Sequence, residues 1–364
     1  MKPFRNPYHA GPAGDHFDGR RFFNPGGEMP APLSAIWRWQ RERSRNRVPW
    51  PAVFPSPYPK DVPPERVGGE ALRLVHVGHA SFLLQTAGLN VLLDPVWSQR
   101  CSPLPFGEPM RRQAPGIDFE ALPPIDAVCV THSHYDHMDR PTLVRLQREH
   151  APRFLVPLGL DRIIRGWCPR ADVEGFDWHE RVRLGHGLGL TFEPTHHWGA
   201  RGVLDRRMTL WASFAFDTPA GFVFYVGDTG FGGGATYRAV RERHGPARLA
   251  VLPIGAYNPR AVMRPQHQDP DEAVRGARFL EAEMTLGSHW GCFPLTDEAI
   301  DEPPRRLLEA CRRWDLPPER FRAAQPGLVH ALPHRIEAPL PRALTPTPET
   351  TAPTSDDLHD TSQA

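Results

Sequence analysis

Residues Thr131-His132-Ser133-His134-Tyr135-Asp136-His137-Met138-Asp139 follow directly on the apolar run Ala127 to Val130 and put three imidazoles and a carboxylate within six residues. A strand places alternate side chains on one face, so His132 and His134 can share a metal ion. A turn or helix start beyond them swings Asp136 and His137 toward a second ion. A histidine-rich surface loop would sit in polar filler, whereas this stretch leaves a strand that reads as buried. Two adjacent metals are the natural reading.

The rest of the composition bounds what such a site can serve. With 364 residues and 40% apolar content the chain can bury a sizeable core, as one large domain or two ordinary ones. Lys and Arg number 43 against 42 Asp and Glu, so no overall field favours nucleic acid, and attraction for phosphate must be local. Five cysteines, odd in number and widely spaced, fit reduced thiols better than a disulfide framework or a thiolate zinc cluster. The first residues lack the apolar core of a signal peptide, and no stretch approaches the roughly 20 apolar residues of a membrane span. A cytoplasmic protein is expected.

Residues 1–70, rich in Pro, Gly, Arg and aromatics, read as an N-terminal extension wrapped on the core. Within it Ser34 is placed to cap a helix running to Arg47, with Ile36, Trp37, Trp39 and five arginines (Arg38, Arg41, Arg43, Arg45, Arg47). That helix is a cover over the main domain or a peripheral contact with a lipid surface, and the cover is preferred. From residue 71 short β-like runs begin at Leu72, Ala80 and Leu89, and beyond Ala127 strands alternate with helices at Pro141–Glu149, Leu160–Gly166, Thr236–Arg243, Pro270–Ala282 and Ile300–Arg313. The domain extends over 71–336, and 337–364, with a Thr/Pro/Ser/Asp-rich end, reads as a disordered tail.

Four strand exits or loops add to the motif: Thr195-His196-His197-Trp198-Gly199, Gly227-Asp228-Thr229-Gly230, Gln266-His267-Gln268-Asp269 and Ser288-His289-Trp290-Gly291. A binuclear site needs a bridging carboxylate with imidazoles on either side, which Asp228, His197 and His289 can supply. Asp228-Thr229-Gly230 alone is no aspartic protease, because no second Asp-Thr/Ser-Gly is present to share a proton. Gly230 to Gly234 lacks the Gly-Lys-Ser/Thr ending of a nucleotide loop.

The order His-x-His-x-Asp-His followed by His, Asp and His resembles the metallo-β-lactamase fold superfamily. Gly78-His79-Ala80-Ser81, Leu93-Asp94-Pro95, the run from Leu122 through Asp139, Gly227-Asp228-Thr229-Gly230, Leu252-Pro253-Ile254-Gly255-Ala256-Tyr257 and His289-Trp290-Gly291 narrow the resemblance to its N-acylphosphatidylethanolamine-hydrolysing phospholipase D branch. The likeness covers residues 70 to 330. It implies an α/β fold, the αβ/βα four-layer sandwich of two mixed sheets flanked by helices. It also implies that His132, His134 and His197 hold one zinc, that Asp136, His137 and His289 hold the other, and that Asp228 bridges two Zn2+.

His196 stands where the family has glutamine. Adjacent strand residues face opposite ways, so only one of the two histidines ligates, and His197 is chosen. His267 falls where the family keeps a histidine near the substrate phosphate, and Asp94 and His79 are candidates to support the ligating imidazoles. Iron or manganese suits the same donors. The expected reaction is hydrolysis of an N-acylphosphatidylethanolamine-like lipid to phosphatidic acid and an N-acylethanolamine. Water ionised between the metals attacks, Asp136 orients it, and His267 stabilises the phosphoryl charge. A metal-dependent lactonase or soluble phosphodiesterase on the same fold is the alternative. Expected partners are a phospholipid or other ester, a membrane surface contacted peripherally and a second copy of the chain in a homodimer, with no nucleic acid.

Overall fold

Strands Leu72–Gly78 (β1), Ser81–Thr86 (β2) and Leu89–Leu93 (β3) form an antiparallel meander, and nearly every one of their residues is buried. Burial on both faces explains why these runs read as continuous apolar stretches rather than strict alternations. The computed structural model describes residues 5–46 and 48–332. Arg47, the last four residues of the 71–336 domain and the tail 337–364 lie outside the described residues.

Two seven-stranded sheets make the centre of the molecule. In the first, β1 to β3 continue into parallel strands Ala127–Cys129 (β4), Arg153–Pro157 (β5) and Val173–Phe176 (β6), while Val329–Leu332 (β14) closes the other edge against β1. The second sheet runs Arg181–Gly185 (β7), Leu188–Glu193 (β8), Ser213–Thr218 (β9), Gly221–Tyr225 (β10), Leu249–Pro253 (β11), Met284–Ser288 (β12) and Phe321–Ala323 (β13), parallel from β10 onward.

Side-chain alternation assigns three apolar layers. Leu74, Phe82, Val91 and Cys129 from one sheet meet Phe192, Phe214, Tyr225 and Val251 from the other. The opposite residues of the first sheet, Val75, Leu83, Val128 and Phe154, pack under helices Arg140–Glu149 (α2) and Leu160–Trp167 (α3). Those of the second, Phe224, Ala250 and Leu252, pack under Ala235–His244 (α4), Pro270–Phe279 (α6) and Glu302–Arg313 (α7). The architecture is therefore helix, sheet, sheet, helix, the αβ/βα sandwich. Helix α6 starts with a capping box between Asp269 and Glu272, which fixes the loop carrying His267 against its first turn.

Before the sheets, Phe17 and Phe22 pack on Leu210 and Trp211, and helix Leu33–Asn46 (α1) lies beside the short helix Arg260–Met263 (α5). The helix begins at Leu33, so Ser34 sits inside its first turn rather than capping it. Trp39 turns inward and donates its indole N–H to Asp297 at 2.6 Å, while Trp37 is 69% exposed.

Phe214 is fully buried between the sheets, edge-on to Phe192 at 5.4 Å and stacked near Tyr225 at 6.1 Å. Phe214→Ala should lower unfolding stability by about 3–5 kcal/mol, seen as a lower urea midpoint with an unchanged slope.

Candidate metal centre

All the strands that deliver site residues run the same way within their sheets, so their C-terminal ends gather along one edge of the sandwich. His79 leaves β1, Asp94 leaves β3, the histidine motif leaves β4, His197 follows β8, Asp228 follows β10 and His289 follows β12. His79, Asp94 and His289 all have left-handed backbones, with φ of 56°, 41° and 65°. Such conformations are uncommon for non-glycine residues and gather at functional sites. Gly227 is left-handed too (φ 68°), and a Cβ there would stand 2.7 Å from the side chain of Thr131. A Cβ on Gly255 would stand 2.1 Å from the carbonyl oxygen of His289. Glycine at these two points lets the neighbouring strand ends close on each other.

Four groups of donor atoms, each mutually within 4.8 Å, overlap in this edge: His132, His134 and His197; His79, Asp136, His137 and His289; His132, His137 and Asp228; and His197, Asp228 and His267. Asp228 ties them together. Its Oδ2 lies 3.2 Å from His137 Nε2, 3.7 Å from His197 Nε2 and 3.9 Å from His132 Nε2, and its Oδ1 lies 3.2 Å from His289 Nε2. Asp136 Oδ2 is 3.2 Å from His289 Nε2 and 3.1 Å from His79 Nε2. His267 Nδ1 is 3.9 Å from Asp228 Oδ2. All seven residues read as ligands from the sequence thus converge, with His79 and His267 at their margin. His197 faces the group, whereas the ring of His196 lies against Gly232.

Hydrogen bonds fix which nitrogens face inward. Asp94, fully buried, accepts from Thr131 N (2.7 Å), Thr131 Oγ1 (2.7 Å), His137 Nδ1 (2.7 Å) and Tyr225 Oη (2.8 Å). Because the Thr131 hydroxyl donates to Asp94, it accepts from His132 Nδ1 at 2.9 Å, which leaves the Nε2 lone pair of His132 turned to the cluster. His197 Nδ1 donates to the Gln266 carbonyl at 2.9 Å and likewise presents Nε2. The buried atoms His132 Nε2, His137 Nε2 and Asp228 Oδ1 have no hydrogen-bond partner among the described residues. Buried acceptors without donors are costly, and a cation between them removes that cost. The donor set, all nitrogen and oxygen, fits zinc, iron or manganese.

Electrostatics agree with this arrangement. Burial, helped by the imidazoles of His137, His197 and His134, holds His132 well below the ordinary histidine value. Burial and His197 lower His134 to about 3, and burial lowers His197 to about 4 against the pull of Asp228. These three are neutral, as ligation requires. His137 and His289 differ: burial opposes their charge, but Asp228 and Asp136 overcome it, raising His137 well above its usual value and His289 to about 9. Unless a cation stands beside the two carboxylates, a proton must.

Thr131, Tyr225 and Gln266 had no role assigned from the sequence. Thr131 lies inside the motif, yet nothing local tells that it links Asp94 to His132. Tyr225 is one aromatic residue in the run Phe222 to Val226 and is singled out only by the pairing of the strands.

The model of the β-lactamase superfamily domain matches residues 89–290, which span every group above except His79. The chain belongs to the metallo-β-lactamase fold superfamily. An uncharacterized protein of Mycobacterium tuberculosis is 36% identical over 299 residues, covering 80% of this chain and 75% of that protein. The N-acyl-phosphatidylethanolamine-hydrolyzing phospholipase D 1 of Caenorhabditis elegans is 35% identical over 242 residues, covering 64% and 68%. The chain is thus related to that phospholipase D branch. Among solved structures, the diiron β-hydroxylase CmlA of Streptomyces venezuelae shares the fold with a TM-score of 0.53 at 21% identity, over 74% of this chain and 54% of that one. This metallo-β-lactamase-fold protein is a metal-dependent hydrolase.

Asp94→Asn should weaken metal binding on the order of 10–100-fold, measured as metal retained against a competing chelator. In protein stripped by chelation, the raised His289 pKa stabilises the fold fully below the unfolded value of about 6.5, and that contribution disappears as pH rises through about 9. Metal must displace the same proton. Binding should therefore release protons and tighten by about tenfold per pH unit for each proton displaced, up to about pH 9, as followed by pH-stat titration.

Proposed function

We propose that this hydrolase is a dinuclear phosphodiesterase of phospholipase D type, cleaving N-acylated phosphatidylethanolamines to phosphatidic acid and N-acylethanolamines. The observation that carries the dinuclear reading is the Asp228 carboxylate, whose two oxygens reach toward imidazoles of both clusters. In this reading His132, His134 and His197 would hold one ion and Asp136, His137 and His289 the second, with the Asp228 carboxylate standing between the two sets. Two zinc ions suit these donors, with iron or manganese able to replace them. When bound, such a pair supplies a water ionised near neutrality and a Lewis acid for a phosphoryl oxygen.

The chain's own residues do the rest. Asp136, whose Oδ2 already accepts from His79 Nε2 at 3.1 Å, is held with its carboxylate fixed and orients the attacking water. His267 is neutral, because burial outweighs the pull of Asp228. A ring N–H of neutral His267 donates to a phosphoryl oxygen as charge grows there. The loop bearing it is pinned from both sides: Gln268 N–H donates to Thr229 O at 2.7 Å, and the Gln268 side chain bridges Tyr237 and Pro253 O.

The substrate class rests on the named nematode relative and on the exposed apolar residues of the protein's surface. No helix among the described residues is long and apolar enough to cross a membrane. Exposed Leu33 and Trp37 on α1, Leu104 and Phe106 on one loop and Val203 and Leu204 on another give the protein apolar tips accompanied by Arg38 and Arg41, a composition suited to peripheral contact with a bilayer.

His134→Ala should abolish hydrolysis and lower bound metal. His267→Gln should keep the metal and lower kcat by about 10²–10³. The decisive assay presents N-acylphosphatidylethanolamine vesicles and a panel of soluble diesters and lactones with metal-loaded protein. Rapid turnover of a soluble ester with no flotation on vesicles would replace the lipid reading.

A further inference from the structure

Tyr135, between two of the clustered residues, also stands in the wall of a separate cavity of about 460 Å³. Three guanidinium groups, those of Arg100, Arg140 and Arg201, open onto this space, and none is in an ion pair among the described residues. Arg100 spends Nε and Nη1 on the carbonyls of Pro105 (3.2 Å) and Gly107 (2.6 Å) in its own loop. Arg201 spends Nη1 on the carbonyls of Ser133 (3.2 Å) and Met138 (2.6 Å), with its guanidinium 3.7 Å from the Tyr135 ring centre. The Arg140 guanidinium makes no hydrogen bond among the described residues. It and the guanidinium of Arg201 lie 5.8 Å and 5.2 Å from the centre of the same Trp167 ring, so the two cations share one aromatic wall.

The only carboxylate among the described residues lining the cavity is Asp139. Its oxygens are taken by the hydroxyls of Ser98 (2.8 Å) and Thr142 (2.5 Å). Asp205, outside the lining, also attracts the Arg201 cation; three cations against these two carboxylates still leave a positive surplus in a partly enclosed space, and carbonyl acceptors do not neutralise a guanidinium. Burial presses the Arg201 pKa downward against the pull of Tyr135, Asp139 and Asp205. The ten-residue helix α2 begins at the same wall and adds the positive end of its dipole. Ile163 and Trp167 supply the apolar part of the lining.

We propose that this cavity binds a phosphomonoester, its phosphate facing Arg100, Arg140 and Arg201 and its organic part lying against Trp167 and Ile163. A phosphomonoester carries close to two negative charges and three acceptor oxygens that match guanidinium forks. A carboxylate carries only half of that charge. The organic part can be a soluble polyol or a lipid glycerol. The site is distinct from the clustered histidines, and the inference stands whatever ester those residues cleave.

The test is calorimetric titration of the metal-loaded full chain with sn-glycerol 3-phosphate, dioctanoyl phosphatidate, inorganic phosphate and octanoate, in wild type and Arg140→Glu. Arg140 is exposed in the first turn of α2, where an acidic residue suits the helix, so the variant keeps its fold and its bound metal. The expected result is a binding event for glycerol 3-phosphate that Arg140→Glu weakens at least about tenfold and that added salt weakens further. Tighter binding of dioctanoyl phosphatidate assigns the site to a lipid headgroup, and equal binding assigns it to soluble phosphomonoesters. Phosphomonoester binding unchanged by Arg140→Glu, or octanoate bound as tightly as the phosphates, overturns the proposal.

Discussion

A single buried carboxylate, that of Asp94, accepts four hydrogen bonds and thereby decides how two of the inward-facing imidazoles, His132 and His137, are presented. The residue sits at the end of β3, takes the backbone and side chain of Thr131 from the end of β4 and reaches across to Tyr225 on the second sheet. Through the Thr131 hydroxyl it fixes the tautomer of His132, and directly it fixes that of His137. A carboxylate with no solvent access is tolerable only when its lone pairs are filled. Removing any donor therefore disturbs the others, and the two sheets are registered to each other at the point where the site needs them.

The same economy of buried charge organises the rest of the edge. Asp136 and Asp228 are pulled well below the usual carboxylate range although burial alone would raise them, because His137 and His289 stand beside them. The opposing shifts of His137 and His289 are the other half of that attraction. What holds these groups together against desolvation is the frame: His289 N–H donates to His79 O at 3.0 Å, joining the end of β12 to the end of β1. Left-handed His79, Asp94 and His289 carry strain on the order of 1–3 kcal/mol each, offset by sheets whose interface is almost wholly apolar.

What could be read from the chain alone follows from the range of each signal. The stretch Thr131 to Asp139 is local, so its spacing after a strand was sufficient to place its histidines. The choice of His197 over His196 came from strand alternation with the family pattern, and the two rings do face apart. The four-layer fold came from the resemblance; the long buried strands agreed with it. The short strands β6, β7, β13 and β14 leave no such trace in the sequence. β7 alternates exposed and half-buried residues and carries two arginines, and β13 is three residues long, so neither offers an apolar run. Their strand character comes from pairing with a neighbour, which is a tertiary fact. Helix α6 ends at Phe279, three residues short of the expected Ala282, because Glu281 takes a left-handed backbone (φ 49°) and Ala282 N–H turns back to the Ala277 carbonyl at 3.0 Å.

Helix α1 shows why composition alone could not choose between cover and lipid contact. Ala35, Ile36 and Trp39 recur at helical spacing and pack on Val262 and Met263. On the same side Arg43 reaches the carbonyls of Pro294 (2.7 Å) and Thr296 (3.1 Å), which lie a few residues beyond His289. One face is thus a cover fastened to the loop that follows a clustered histidine. Leu33 and Trp37 fall on the other face with Arg38 and Arg41, exposed. The cover is thus one side of the helix, and the exposed Leu33 and Trp37 lie a helix diameter of about 10 Å away from it.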